Sequence, residues 1–506
     1  MSDVIRFLLD GKLVTVRDVS PQITLLEYLR EELHRTGTKE GCAEGDCGAC
    51  TVVLAECADA SVDDGLRWRP INACIRLLPT IDGKALFTVE SLKSADGALH
   101  PVQQALVECH ASQCGFCTPG FAMSLFGVYK TARSGERGQI DDALSGNLCR
   151  CTGYRPIIAA AQRMAELPPA SGWRAPGFDA DRRSPLNEEE RALGRELAGL
   201  RRDSALVYEH GGQRYIAPAT ADELAELYLA NPDARLVAGA TDVGLWVTKQ
   251  HRDLGTIIHT GNVRELTASR TTATHLEIGA AVPLADALAL FGRHYPSLAE
   301  VWCRFGSVPI RNSGTLGGNI ANGSPIGDTM PVLLALGATL LLRRGETRRE
   351  IALEDFYLGY QKTALGPAEF VAAIRVPLPM PGAVLRAYKI SKRFDQDISA
   401  VFVCFKLQRD GDRPDARVAQ IRIGCGGVAA IPKRALACEK ALTGRLWDDA
   451  AVAAGQAALE RDFAPISDMR ASAAYRLAAL QNLLRRFRLE TSDTSVKTRA
   501  VEYVAS

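Results

Sequence analysis

GCAEGDCGACT, residues 41–51, sets Cys42, Cys47 and Cys50 at C-x4-C-x2-C spacing, and Cys74 follows at a distance in LRWRPINACIRL, residues 66–77. Three thiols in a Gly-rich loop with one remote fourth is a ligand pattern of a [2Fe–2S] cluster. Such a cluster needs four thiolates and a shell of backbone N–H donors around its sulfurs. Gly41, Gly45 and Gly48 let the main chain wrap closely, because glycine reaches positive φ at low cost. Four-cysteine zinc sites also use C-x2-C pairs, but seldom this triplet with a remote partner. A second set is Cys114 and Cys117 in QCGFCTPGF, residues 113–121, with Cys149 and Cys151 in GNLCRCTGYRPI, residues 146–157. Alone, this set is also compatible with zinc or a redox pair. Beside the first, it reads as a second cluster, and two centres on one chain point to an electron relay. The other cysteines, Cys57, Cys109, Cys303, Cys404, Cys425 and Cys438, are isolated and read as small buried hydrophobes.

Outward from these loops, residues 1–90 read as a small α+β domain. IRFLLDGKLVTV, residues 5–16, is two β-prone runs around Asp10-Gly11, a hairpin signal. TLLEYLREEL, residues 24–33, puts Leu25, Leu26, Leu29 and Leu33 on one helical face. CTVVLAE leaves the cysteine loop as a strand, and a further strand delivers Cys74. Residues 91–166 turn helical. Thr118-Pro119 supplies an N-cap and first helical residue, and Pro156 sits just inside a later helix. Each half of the second cysteine set therefore precedes a helix N-terminus, whose N–H groups and dipole favour an anionic cluster.

Residues 167–207 are rich in Pro, Gly, Asp and Arg and read as a linker with a short solvated helix over NEEERALGRELAGLRR. Beyond them helical and strand-like runs alternate, and residues 381–490 form a further α+β unit. No G-x-G-x-x-G follows a strand, so a Rossmann site is not supported. Two other Gly-rich stretches stand out: LVAGATDV, residues 236–243, and SGTLGGNIANGSPIGD, residues 313–328. Loops of this kind present backbone N–H groups to a pyrophosphate without a phosphate-binding helix, and equally serve as long structural turns.

Bulk composition narrows the class. A chain of 506 residues has room for three or four domains, and 47% hydrophobic residues supports several cores. Lys plus Arg is 60 against 59 for Asp plus Glu, which argues against a nucleic-acid binder. No apolar run reaches a membrane span, and the start carries no export signal, so a cytoplasmic location is expected. Many cysteines without a secretory signal favour metal ligation over disulfides.

GCAEGDCGACTV, QCGFCTPGF and GNLCRCTGYRPI together resemble the iron–sulfur region of the molybdenum hydroxylases, the xanthine dehydrogenase and aldehyde oxidase family. The resemblance implies an α+β multidomain chain. Its parts are a β-grasp, plant-type ferredoxin-like domain (1–90), an all-α [2Fe–2S] domain (91–166) and the linker (167–207). A vanillyl-alcohol-oxidase-type (PCMH) FAD domain (208–380) and a CO-dehydrogenase-flavoprotein-like C-terminal domain (381–490) follow. It implies that Gln113 contacts the pterin of a partner's molybdenum cofactor. For FAD it implies contacts from Leu236, Val237, Ala238, Gly239, Ala240, Thr241, Asp242 and Val243, and from Phe305 beside the isoalloxazine. Thr315, Gly318 and Asn319 match a second phosphate loop, and Asp328 matches an acidic contact to the ribityl or adenosine part. Val371 matches an apolar contact and Lys389 a FAD-binding lysine. Ile390–Ile398 resembles a loop beside the flavin that influences which oxidant reaches it, with Phe394 and Gln396 where vertebrate enzymes carry charges.

The fused order cluster, cluster, FAD resembles the small subunits of bacterial xanthine dehydrogenases. It implies electron passage from a partner's molybdenum centre through two [2Fe–2S] clusters to FAD and NAD+ during purine oxidation. No molybdopterin domain is recognisable, so a large molybdopterin-binding partner is expected, in a pair of heterodimers, and no purine-hydroxylating residue is expected on this chain. The same relay in an aldehyde oxidase or another molybdenum hydroxylase is the nearest alternative. An iron–sulfur redox sensor without flavin is the alternative from another class.

Overall fold

In the computed structural model, residues 3–57, 65–131, 136–177, 185–492, 495, 496 and 498 are described. The chain is a multidomain α+β protein. Its contacts divide into two units: Met1–Glu265 with Pro283–Ala285 and Gly306–Thr315, and Leu266–Val282 with Asp286–Phe305 and Leu316–Ser506. The division runs through the stretch 208–380 that was expected as one FAD domain.

The first unit opens on the expected hairpin. Ile5–Leu9 pairs antiparallel with Lys12–Val16, and Asp10 and Gly11 both take positive φ, the turn that matches strand twist. Ile5–Leu9 also pairs in parallel with Ala85–Phe87, which joins Thr51–Cys57 and then Leu66–Asn72 in one five-stranded sheet. TLLEYLREEL is less regular than its periodicity suggests. Thr24 builds a capping box with Glu27, but only Leu25–Glu27 is α-helical, and Tyr28–Glu32 continues as a wider π turn closed by Leu33 N–H on Tyr28 O. Thr118 is likewise not the cap. The helix runs Thr118–Thr131, and the Thr118 hydroxyl pairs with Ser112 Oγ at 2.8 Å.

The helices Pro101–Glu108, Thr118–Thr131, Arg137–Leu144 and Arg155–Arg163 share one core with the sheet, around Trp68, Phe87, Phe121 and Phe126. The stretch read as a linker adds to that core. Its helix Glu188–Leu200 was expected to be solvated, yet it buries Leu193, Leu197 and Leu200. Trp173 packs on Phe87 at 4.5 Å between ring centroids. Lys130 Nζ, buried, reaches Glu190 at 2.7 Å and the carbonyls of Trp173 and Ala175 at 3.1 and 2.6 Å. A four-stranded sheet, ordered Leu206–His210, Gln213–Ala217, Thr256–His259, Arg235–Val237, completes this unit.

The second unit holds a five-stranded sheet in which Phe370–Pro377 lies between His275–Gly279 and Thr339–Arg344. A four-stranded sheet is built on Val384–Ile390, Val401–Arg409 and Val418–Gly426. Helices Leu436–Leu442, Asp449–Asp462 and Ala473–Ser492 cover it over a core with Trp447, Phe405 and Phe487. Among the described residues, no helix is long and apolar enough to cross a membrane.

Candidate functional site

The two thiol sets are both assembled. In the first, Cys42 takes hydrogen bonds from the thiols of Cys47 and Cys74, and Cys50 takes one from Cys74. Backbone N–H groups of Glu44, Asp46 and Cys47 point at Cys42 Sγ from 3.4, 3.4 and 3.3 Å. These donors hold Cys42 well below the usual thiol range, the Cys47 thiol contributing most. A ring of main-chain amides around an anionic sulfur is what a cluster shell requires. Cys50 and Cys74 are buried, while Cys42 and Cys47 are half-buried.

In the second set, Cys114 and Cys151 stand 3.4 Å apart, and Cys117 pairs with Cys149. Burial, then the Cys149 thiol, pushes Cys117 up to about 12. Thr152 donates to Cys149 Sγ through its amide and hydroxyl at 3.5 and 3.1 Å, and Tyr154 Oη accepts from Cys149 N–H at 2.9 Å. Cys114 and Cys151 are exposed. Among the described residues, no three His, Cys, Asp or Glu side chains close around a single metal ion. The first set forms a continuous chain of four thiols and the second two pairs, and each supplies the four ligands a two-iron centre takes.

The two loops are locked together. Leu148 N–H donates to Cys47 O at 2.9 Å. Asn147, buried, donates to Gly48 O at 3.1 Å and accepts from Ser124 Oγ at 2.6 Å. Gly48 has φ +71°, and a Cβ there would lie 2.1 Å from Gly146 O. This position therefore accepts only glycine. Asn147 and Ser124 were not singled out from sequence. An Asn two residues before Cys149 was the only available signal. Gln113 is exposed beside Cys114.

The flavin candidates fall on both units. In the first, Leu236 and Val237 end a strand, Ala238–Asp242 form a turn in which Ala240 has φ +58°, and Val243 begins the short helix Val243–Thr248. The turn abuts the start of the second Gly-rich stretch. A Cβ on Gly239 would lie 2.0 Å from Ser313 O, and one on Gly314 would lie 3.2 Å from Thr241 Oγ1. So close an approach leaves no room for a side chain at 239, while Gly314 is tied through its N–H to Ile310 O and through its carbonyl to Leu284 N–H, both at 2.8 Å.

In the second unit, Gly318 and Asn319 lie in the short helix Leu316–Asn322. That corrects the expectation of a loop: Gly317 packs its helix against Ala280, where a Cβ would sit 2.4 Å away. Asn319 Oδ1 accepts a hydrogen bond from Thr329 Oγ1. Asp328 and Lys389 are both buried and pair at 2.7 Å, and Ser399 Oγ donates to the other carboxylate oxygen at 2.6 Å. Burial raises the Asp328 carboxyl, against the pull of Lys389 and Ser399. Lys389 and Ser399 flank Ile390–Ile398, so one carboxylate staples both ends of that loop.

Arg304 holds the middle of the loop, donating to Ser391 Oγ at 3.1 Å and Phe394 O at 3.0 Å. Its guanidinium lies 4.6 Å from the Phe394 ring centroid. Arg304 too was missed from sequence, where nothing distinguishes it from a surface arginine. Phe305 is half-buried, and Val371 is buried in the strand Phe370–Pro377. Of the isolated cysteines, Cys404, Cys425 and Cys438 are buried, but Cys303 is exposed, contrary to expectation.

Four family models match in succession. They are a 2Fe-2S iron-sulfur cluster binding domain (residues 7–78), a [2Fe-2S] binding domain (88–162), an FAD binding domain in molybdopterin dehydrogenase (209–379) and a CO dehydrogenase flavoprotein C-terminal domain (386–491). Xanthine dehydrogenase of Emericella nidulans is 33% identical over 504 residues, covering 91% of this chain and 36% of that protein. Xanthine dehydrogenase/oxidase of Gallus gallus is 31% identical, covering 88% and 37%, and aldehyde oxidase 4 of Cavia porcellus 30%, covering 88% and 36%. The chain thus spans little more than a third of the length of these curated relatives. Among solved structures, a carbon monoxide dehydrogenase from Hydrogenophaga pseudoflava is 28% identical with a TM-score of 0.50, covering 54% of this chain and 94% of that one. With two iron–sulfur domains, an FAD domain and a flavoprotein C-terminal domain in this order, the chain belongs to the molybdenum hydroxylases as an iron–sulfur and FAD chain.

Proposed function

We propose that this chain is the electron-carrying part of a xanthine-dehydrogenase-type enzyme. It would receive electrons from a molybdopterin centre on a larger partner and pass them through two [2Fe–2S] clusters to FAD. NAD+ would take them from there, during oxidation of hypoxanthine and xanthine to urate. Cys42, Cys47, Cys50 and Cys74 would hold one cluster, and Cys114, Cys117, Cys149 and Cys151 the other. When bound, the clusters supply one-electron carriage and FAD the conversion to two-electron chemistry.

The observation that carries the reading is the link between the thiol sets: a single 2.9 Å backbone hydrogen bond, Leu148 N–H to Cys47 O, joins a residue of one set to the neighbour of a residue in the other. A relay needs its carriers coupled, whereas two independent sensor sites need no such join. The chain's own residues do the holding. Amides of Glu44, Asp46 and Cys47 surround one sulfur, and the turn at residues 238–242 would hold the flavin's diphosphate. Gln113, exposed beside the second set, would face the partner's pterin. We assign the assembly to the cytoplasm, as a pair of heterodimers. An aldehyde-oxidising enzyme is the second reading, favoured by the 30% identity to aldehyde oxidase 4.

The test is to purify the chain alone and with its partner. The isolated chain should hold about four irons (two per centre) and one FAD, and should oxidise NADH with an artificial acceptor. Purine-dependent NAD+ reduction should appear only with the partner. Zinc in place of iron, or purine oxidation by the isolated chain, overturns the reading.

A further inference from the structure

The loop at residues 236–243 leaves the strand Arg235–Val237, which pairs in parallel with Thr256–His259 so that Val237 lies opposite His259. His259 therefore ends its strand where the loop begins. Its side chain is 2% exposed, stacks on Tyr215 at 5.9 Å between ring centroids, and is hydrogen-bonded to the main chain of Ala238. His259 Nδ1 is buried without a partner among the described residues, so Nε2–H makes that bond, and its acceptor is the Ala238 carbonyl. Burial, with the nearby charges of Arg76 and Lys84, holds the imidazole down to about 3, so the ring is neutral at pH 7.

In a trans peptide the C=O and the following N–H point in opposite directions, and the described chain has no cis bonds. Turning Ala238 O onto His259 therefore aims Gly239 N–H away from His259 and its strand. No acceptor among the described residues meets the amides of Gly239, Ala240, Thr241 or Asp242. With Ala240 left-handed, successive amides converge in the manner of an anion-binding nest. The opposite orientation would present a carbonyl oxygen to the anion.

We propose that His259 is a positioning residue for the FAD diphosphate: by holding the Ala238 carbonyl it presents the Gly239 amide to the phosphates. The inference rests on reading residues 236–243 as the diphosphate loop. His259→Phe keeps the ring and its stack on Tyr215 but removes the donor. His259→Gln keeps an N–H near the Nε2 position, and His259→Asn reaches only as far as Nδ1.

Flavin affinity of the whole chain is read by fluorescence with FAD and with riboflavin, which has no phosphate, alongside iron content. His259→Phe should weaken FAD about 10- to 100-fold, the range for one hydrogen bond to a charged group, with riboflavin affinity and iron content unchanged. His259→Gln should stay close to wild type and His259→Asn should resemble the Phe variant. Equal loss of FAD and riboflavin, full FAD affinity in His259→Phe, or equal affinities in the Gln and Asn variants overturns the inference alone. A wild-type chain that binds no FAD overturns the functional reading with it.

Discussion

At the level of single residues, the cysteine loops tolerate little change. Gly48→Ala places a methyl 2.1 Å from Gly146 O at a φ of +71°, so the variant should lose iron, read by metal analysis and visible absorbance. Asn147→Ala strands Ser124 Oγ in a buried setting and removes one of the hydrogen bonds to Gly48 O, which keeps those from Thr51. It should cost about 1–3 kcal/mol of stability by denaturant unfolding.

Two buried histidines set an acid limit. His100, whose Nδ1 caps Val102 N–H and whose Nε2 lies 3.1 Å from Arg174 O, is lowered by burial to about 4, and His259 to about 3. The unfolded chain takes up these protons near 6.5 and the folded chain does not. Their contribution to stability is therefore complete above 6.5 and shrinks on acidification, by about 1.4 kcal/mol per pH unit for each histidine. The urea midpoint should fall from pH 6.5 toward 4.5, and His100→Asn, which retains a cap acceptor, should flatten that slope. The eight thiols were legible because their spacing is itself the signal. Asn147, His259 and Arg304 were not, since what singles them out is a partner far away in sequence.

Among elements, the helix Glu188–Leu200 is held by one buried ion pair as well as by its buried leucines. Lys130→Met leaves the Glu190 carboxylate buried without its counter-charge, with the Asn187 amide still donating to it, and should cost about 3–5 kcal/mol. The double variant with Glu190→Leu should regain most of it, both read by denaturant unfolding. The stretch from Gly172 to Leu200 was read as linker because its anchors, Trp173 and the carbonyls of Trp173 and Ala175, are single contacts in a Pro- and Gly-rich run with no period to detect. Hairpins and long helices were legible from turn residues and periodicity. The helix Leu316–Asn322 was not, because its glycines serve close packing on Ala280 and mimic a loop composition. The Ile390–Ile398 loop hangs from Asp328 and Arg304. Arg304→Ala should speed tryptic cleavage at the exposed Lys392 and Arg393, with cleavage elsewhere unchanged.

For the whole molecule, the second thiol set lies at the surface with its own apolar rim. Phe116, Leu148 and Tyr154 are 48%, 38% and 38% exposed around Cys114 and Cys151. Surface of this kind beside the proposed cluster ligands suits a partner that must approach closely. Phe116→Asp should reduce co-purification of the proposed molybdopterin partner while leaving iron and FAD in place.

The interlock of Gly48 with Gly146 and Asn147 also bears on how the protein matures. Each cysteine loop supplies part of the wall the other leans on. Metal delivery to one half should therefore ready the other half, and partially filled chains should be scarce at every stage of assembly.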